Sequence, residues 1–433
     1  MELDYRVCGL DFGNFALKLC VYRYNEPIPV TVQQGSFSIP SMIVLKGDDY
    51  VYGFQANAIA LHDASKVVFD LLRWISQNRY LSPNSLDSHS IIPSMTAVRR
   101  DSKCLFDLGG GHYISLKEAV SNLLTNGLDN ASRFLSFGTV THIALSIPLF
   151  YTYSIVETLY SILSERNITF SLYWEPEACV LAHLFKNHSN FVPASKYILV
   201  CSFGGSSLDV SVVNTTQDIS IEHPIVRYSL GGNSVTKVIR NYLQSRLHRE
   251  YPALKLRPVS YLQMAAEEVK RSIYEGEDAE VELSSVGFVE DESSVVVRFE
   301  DLRRVLQSVV KEAVKTIDYC LERYDDIEIL ICGNEARSPF LHEALREKEE
   351  KYRITWCDKS EWFSAYGACL CLVHNQEGID ALRPYHVREL ERERIERLQT
   401  KFGPGIEDDR RNLFNRIEKP MSAFYNMYYD SPR

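Results

Sequence analysis

The chain has 433 residues, 45% of them apolar and 24% charged, which is enough for two or three domains and typical of a water-soluble globular protein. A formal net charge of −10 argues against broad attraction to nucleic acid or to a membrane surface, so neither is expected as a direct partner. No apolar run approaches the length of a membrane span, and the charged start Met-Glu-Leu-Asp-Tyr-Arg does not read as a signal peptide. Ten scattered cysteines with no CxxC pair read as reduced, buried thiols, and the expected location is cytoplasmic.

Residues 5–60 alternate in the manner of strands, with a turn at Gly13 between Val7-Cys-Gly-Leu-Asp-Phe and Leu17-Lys-Leu-Cys-Val21. Residues 66–80 are mixed and open a helix, and residues 91–114 alternate again. A helix is predicted over 115–136, opened by Ser115 and Glu118 in capping-box spacing. Thr141 to Pro148 reads as a buried strand, 151–166 as a helix, and Glu175-Pro176 as the start of another helix through Phe185. Residues 196–213 form a strand, a glycine turn and a second strand. Gly231-Gly232 leads into a helix to Leu247, and 259–274 is amphipathic. Residues 280–298 read as strands, 299–323 as a long helix and 327–332 as a buried strand ending at Gly333. Helices follow from Pro339 and over 363–374. Beyond 376, dense Arg and Glu with a thin apolar stripe predict a charged tail, helical or partly disordered.

Two glycine-turn hairpins, at 7–21 and 197–213, let backbone approach an anion closely, as two lobes clamping a nucleotide triphosphate would require. Gly-Leu-Asp-Phe-Gly (9–13), Val-Phe-Asp (68–70), Leu-Ser-Ile-Pro (145–148), Glu-Pro (175–176) and Phe-Gly-Gly-Ser-Ser-Leu-Asp-Val-Ser (203–211) follow one another in order. Leu-Gly-Gly (230–232), Glu-Glu-Val-Lys-Arg (267–271), Arg-Phe-Glu-Asp-Leu (298–302), Cys-Gly-Asn-Glu-Ala-Arg-Ser-Pro (332–339) and Ala-Tyr-Gly-Ala (365–368) continue the series. Collinear over about residues 5–374, it resembles the nucleotide-binding domain of the heat shock protein 70 family of chaperones. The resemblance implies the α/β actin-like ATPase fold, ribonuclease H-like, with two lobes around a nucleotide cleft. Lobe I is expected over 1–190 with a small subdomain at about 39–114, lobe II over 191–375 with one at about 229–306, and a tail over 376–433. Fifty-nine residues follow position 374, whereas a peptide-binding β-sandwich takes about 100, so the family's substrate domain is not expected here.

Residue by residue, the resemblance divides the site into a depleted half and a retained half. The family's first phosphate turn, Asp-Leu-Gly-Thr-Thr, reads here Asp11-Phe12-Gly13-Asn14-Phe15, with both threonines gone. A lysine expected near the terminal phosphate is Leu72, which has no charge or hydrogen-bond donor to offer. Loss of one positioned electrostatic group of this kind costs roughly 3–4 kcal/mol of transition-state stabilisation. The second turn has Ser202 for an aspartate and Ser206 for a glycine, then Ser207 and Asp209. Asp11, Glu175 and Asp209 are the candidate catalytic carboxylates if the protein is active, and Asp11 and Asp209 those that would hold Mg2+ through water.

The expected contacts to ATP or ADP are Gly13, Asn14, Gly204, Gly205, Ser206, Ser207, Gly231, Gly232, Glu267, Lys270, Arg271, Gly333, Asn334 and Arg337. Glu267, Lys270 and Arg271 share one helix face, which in the family meets ribose and adenine. Asp107-Leu-Gly-Gly-Gly111 mimics a phosphate signature but precedes the capped helix at Ser115, so it reads as a hairpin turn with His112 on the surface.

Efficient ATP hydrolysis is not expected. The leading expectation is a nucleotide-binding member with weak or absent hydrolysis that acts as a co-chaperone or regulator. Its partners would be proteins: a full-length chaperone, a J-domain protein or the ribosome. The alternatives are an active ATPase using Asp11, Glu175 and Asp209 around magnesium, and a sugar or acetate kinase of the same fold class. A lysine or carboxylate from elsewhere in the chain standing beside Leu72 and Ser202 would overturn the leading expectation.

Overall fold

The structure is a computed structural model. It describes residues 6–376 except 33–34, 48, 61–66, 70, 73–95, 101–102, 109–110, 136–137, 150–152, 167, 188–193, 217–218, 228–229, 290–292 and 358–360. Residues 1–384 form one compact unit; 385–433, the second unit and most of the charged tail, lie outside the described residues.

The first half is built from β1 (Val7–Phe12), β2 (Ala16–Arg23), β3 (Glu26–Pro29), β4 (Ser38–Pro40), β5 (Ile43–Lys46), β6 (Asp49–Tyr52), α1 (Gly53–Ala60), β7 (Val67–Val68), β8 (Thr96–Arg100), β9 (Lys103–Asp107) and β10 (Tyr113–Ser115). It continues through α2 (Leu116–Phe134), β11 (His142–Ile147), α3 (Tyr153–Ser164), β12 (Thr169–Trp174) and α4 (Glu175–Asn187). The sheet order is β12-β11-β1-β2-β3, with β4 also on β2. Every residue of β1 is buried, as a central strand covered on both faces must be. Ser115 caps α2 by accepting from the Glu118 backbone N–H at 3.1 Å, as its spacing predicted. Residues 53–60 are helical rather than extended: Gly53, at φ 60°, turns the chain, and Ala56 and Ala60, one helical turn apart, are buried together.

The second half comprises β13 (Tyr197–Phe203), β14 (Leu208–Asn214), β15 (Ser220–Arg227), α5 (Gly232–Glu250), α6 (Val259–Tyr274), β16 (Ala279–Glu282), α7 (Leu283–Val286), β17 (Ser294–Val297), α8 (Phe299–Leu321), β18 (Ile327–Cys332), α9 (Pro339–Leu345), β19 (Ile354–Trp356) and α10 (Phe363–Gln376). Its sheet runs β15-β14-β13-β18-β19. The strands expected over 280–298 are interrupted by α7. Helix α8 serves two cores. Ala313 and Ile317 pack under the second sheet, while Leu302 and Leu306 join α5, α6, β16 and β17 in a separate cluster.

The position of α10 departs from the expected boundary at 375. It packs on α4, β1 and β11 of the first half. Its small residues allow this: a Cβ on Gly367 would lie 1.8 Å from the Ala178 carbonyl oxygen. One core cluster therefore joins Val7 and Ala144 through Ala178 and Ala365 to Val200 and Leu330 of the second sheet. Among the described residues no helix is long and apolar enough to cross a membrane, and nine cysteines are buried and free.

Candidate functional site

The first turn links β1 to β2, and Gly13 N–H closes it on the Ala16 carbonyl at 3.1 Å. Antiparallel register sets Asp11 opposite Lys18. Cross-strand partners share a face, and Lys18 Nζ donates to Asp11 Oδ2 at 2.9 Å. The same oxygen accepts from Ser364 Oγ at 2.8 Å, so α10 helps hold the carboxylate. Burial disfavours the Lys18 ammonium, but the charges of Asp11, Glu175 and Glu361 outweigh it and raise its pKa above the ordinary lysine value.

Glu175 opens α4, and its Oε1 accepts from Ser202 Oγ at 2.7 Å. Burial, then the charge of Asp11, pushes the Glu175 carboxyl up to about 7 against the pull of Ser202 and Lys18. Ser202 lies opposite Asp209 in the second hairpin. Asp209 is buried and its Oδ1 has no hydrogen-bond partner; burial, with Glu175 adding to it, holds its carboxyl well above the usual range. Leu72 is completely buried. Asp70 and Arg73 lie outside the described residues.

The two turns touch. Asn14 Nδ2 donates to Ser206 Oγ at 3.1 Å. Phe15 lies against Gly205, where an added Cβ would meet the Phe15 Cβ at 3.1 Å. The start of α5, a natural anion site, is already engaged: Gly232 N–H donates to the Gly204 carbonyl at 3.0 Å and Asn233 N–H to the Gly205 carbonyl at 2.7 Å. Ser206, Ser207, Gly231 and Gly232 are buried; Gly13, Asn14, Gly204 and Gly205 are partly accessible.

The face of α6 also differs from expectation. Lys270 Nζ bonds Glu267 at 3.0 Å, Glu335 at 3.2 Å and Thr236 Oγ1 at 3.0 Å. Glu335, in the short 3-10 helix Asn334–Arg337, is buried and also accepts from Tyr274 OH at 2.5 Å. Here Glu335 and Glu267 overcome the cost of burial and raise the Lys270 pKa. Lys270 therefore welds α5, α6 and the 334–337 turn. Arg271, expected beside it, points away and pairs with Glu268 at 3.0 Å on the surface. Asn334 and Arg337 are exposed after Gly333, and Arg337 is 3.9 Å from Glu275. Asp107 ends β9 and pairs with Tyr113 of β10; Gly109 and Gly110 of that motif lie outside the described residues.

The family model for Hsp70 protein matches residues 7–382. The chain belongs to the Hsp70 family. It has the actin-like ATPase fold of that family, with two lobes around a nucleotide cleft. It is 23% identical over 356 residues to a heat shock protein 70 homolog of Schizosaccharomyces pombe, covering 77% of this chain and 61% of that one. A heat shock 70 kDa protein of Neurospora crassa is 20% identical over 355 residues, covering 78% and 53%. Heat shock 70 kDa protein 13 of Bos taurus is 21% identical over 294 residues, covering 64% and 59%. The chain thus spans a little over half the length of these Hsp70 relatives.

The Hsp70 domain binds adenine nucleotides, generally with Mg2+. A divalent ion does not fit this set of side chains. Asp11 Oδ2 is taken by Lys18 and Ser364, Ser202 brings no charge, and among the described residues no three metal-ligating side chains converge. The residues that sequence reasoning missed are Lys18, Ser364, Glu335, Tyr274 and Thr236. Lys18 had a readable signal, since a turn centred on Asn14 and Phe15 sets positions 11 and 18 opposite each other. Glu335, Tyr274 and Ser364 had none, because their partners lie far away in the chain. An ammonium from elsewhere in the chain, that of Lys18, stands on Asp11, and the carboxylate beside Ser202 is that of Glu175, at 2.7 Å.

Proposed function

We propose that this Hsp70-family protein binds adenine nucleotide with weak or absent hydrolysis and acts as a co-chaperone or regulator through protein partners. The ion pair between Lys18 and Asp11 carries this reading. It silences the carboxylate that would position a metal-bound water, while Leu72 and Ser202 bring no charge of their own. Exposed Arg337 and Asn334 and the partly accessible glycine turns supply a nucleoside edge and a phosphate edge. Titration calorimetry with ATP and ADP tests it: binding without phosphate release in a single-turnover assay is expected, and no heat at near-millimolar nucleotide would reject it.

One observation favours an active ATPase as the second reading. A carboxyl at about pH 7, as at Glu175, is in the range of a general base. Phosphate release that disappears in Asp209→Ala, with binding retained, would establish that alternative. For partners, the proposed set is a full-length chaperone, a J-domain protein or the ribosome, in the cytoplasm. Affinity capture on the full chain, with and without ATP, distinguishes them by what is recovered.

A further inference from the structure

The Lys18 ammonium sits beside Asp11 at the first glycine turn, where a Cβ built on Gly13 would lie 3.8 Å from its Nζ. It is held at 2.9 Å by a buried carboxylate, and the charges of Glu175 and Glu361 also act on it. A magnesium ion in the same place would need carboxylate or phosphate oxygens at about 2.0–2.1 Å in a near-octahedral shell. Asp11 Oδ2 already accepts two hydrogen bonds, and a magnesium ion bound to it would be repelled by the ammonium at 2.9 Å. The lysine side chain keeps 22% exposure and lies beside the partly accessible Gly13 and Asn14. An ammonium has three N–H donors, of which Asp11 uses one, and lysine binds phosphate as a point charge. On the second hairpin, Asp209 Oδ1 is buried with no hydrogen-bond partner, although Ser207 and the Leu149 backbone bond the same carboxyl.

We propose that Lys18 takes the place of the divalent cation in this protein: its ammonium neutralises Asp11 and offers its remaining donors to the nucleotide phosphates, so adenine nucleotide binds without magnesium. This inference rests on the nucleotide-binding reading above. The site is then a metal-free one, in which a tethered charge replaces an exchangeable ion. A tethered charge cannot leave with the product or rearrange its coordination, which accords with binding in place of turnover.

The experiment is ATP titration of the full chain in EDTA and in excess magnesium. The expected result is a Kd that changes by less than about threefold between the two. Lys18→Met keeps the aliphatic stem and removes the charge, so its Kd in EDTA should rise about tenfold or more, and magnesium should recover part of the loss by binding the freed Asp11. Lys18→Arg should keep metal-free binding. Wild-type binding that vanishes in EDTA and returns with magnesium overturns the inference while leaving nucleotide binding intact. Binding in neither condition overturns the nucleotide reading and this inference with it. A readout without nucleotide covers a variant that folds poorly: Mn2+ should raise the melting temperature of Lys18→Met but not of the wild type, and an equal shift in both counts against the proposal.

Discussion

Asn14 and Ser206, 192 positions apart, meet side chain to side chain at 3.1 Å, so the two turns that flank the proposed phosphate site hold each other directly. Phe15, 48% exposed, backs this bridge by resting on Gly205. A phosphate entering between the turns must break that hydrogen bond and move the ring. A neutral hydrogen bond is worth about 1 kcal/mol net, or about fivefold in affinity. Asn14→Ala and Phe15→Ala should therefore each tighten ATP binding by a few fold in calorimetry. Unchanged or weaker binding in both would mean that the bridge opens at no cost or itself contacts the ligand.

Glu175 makes stability depend on pH with a definite sign. Its carboxyl is pushed from 4.5 to about 7 by folding, so the folded state holds the proton more tightly. The stability this adds is complete below about pH 4.5 and is lost as pH rises through 7. Urea midpoints between these values should fall with pH more steeply in the wild type than in Glu175→Gln. Ser202→Ala removes a bond that favours the charged carboxylate and should move the window upward.

Restoring one lost group should not restore hydrolysis. Ser202→Asp places a second carboxylate against Glu175 while Lys18 still occupies Asp11. The expected outcome is no gain in phosphate release and a loss of about 1–3 kcal/mol in stability, read by chemical denaturation. Hydrolysis in this single variant would show that Lys18 does not block the site.

The Lys270 cluster behaves as one buried unit. Lys270→Met leaves Glu335, 2% exposed, with only Tyr274 as a bonded partner and should cost about 3–5 kcal/mol. Adding Glu335→Gln should recover much of that, giving a large coupling in a double-mutant cycle. Additive losses would mean that the pair is not coupled.

Gly367→Ala offers a test of sign at the helix that returns to the first sheet. In a free helix the change gains about 1 kcal/mol. Here the new methyl would lie 1.8 Å from the Ala178 carbonyl oxygen. A net loss of about 1–3 kcal/mol is expected, with a lowered melting temperature. A stabilised protein would mean that α10 and α4 are not in this contact.

Local rules were enough for much of this molecule. Ser115 and Glu118 marked the start of α2, the period-two pattern marked β1, β2, β13 and β14, and the ordered short motifs pointed to the family and its fold. These features depend on neighbours a few residues away or on motif order, and both are written along the chain. The helix at 53–60 was missed because its weak amphipathicity resembles the strands before it. The strands Thr169–Trp174, Ser220–Arg227 and Ile354–Trp356 were not anticipated either; they draw their stability from the sheets they join.

The sequence by itself determined which groups are missing, since Leu72 and Ser202 cannot carry the charge of a lysine or an aspartate in any fold. Tertiary structure alone decided what the retained groups do. Ser364 reaches Asp11 across 353 positions and Glu335 reaches Lys270 across 65, so residues that match a nucleotide pocket one by one are partly spent on each other. The reason is physical: the state of a buried charge is set by whatever atoms surround it in space, and chain order does not record that distance.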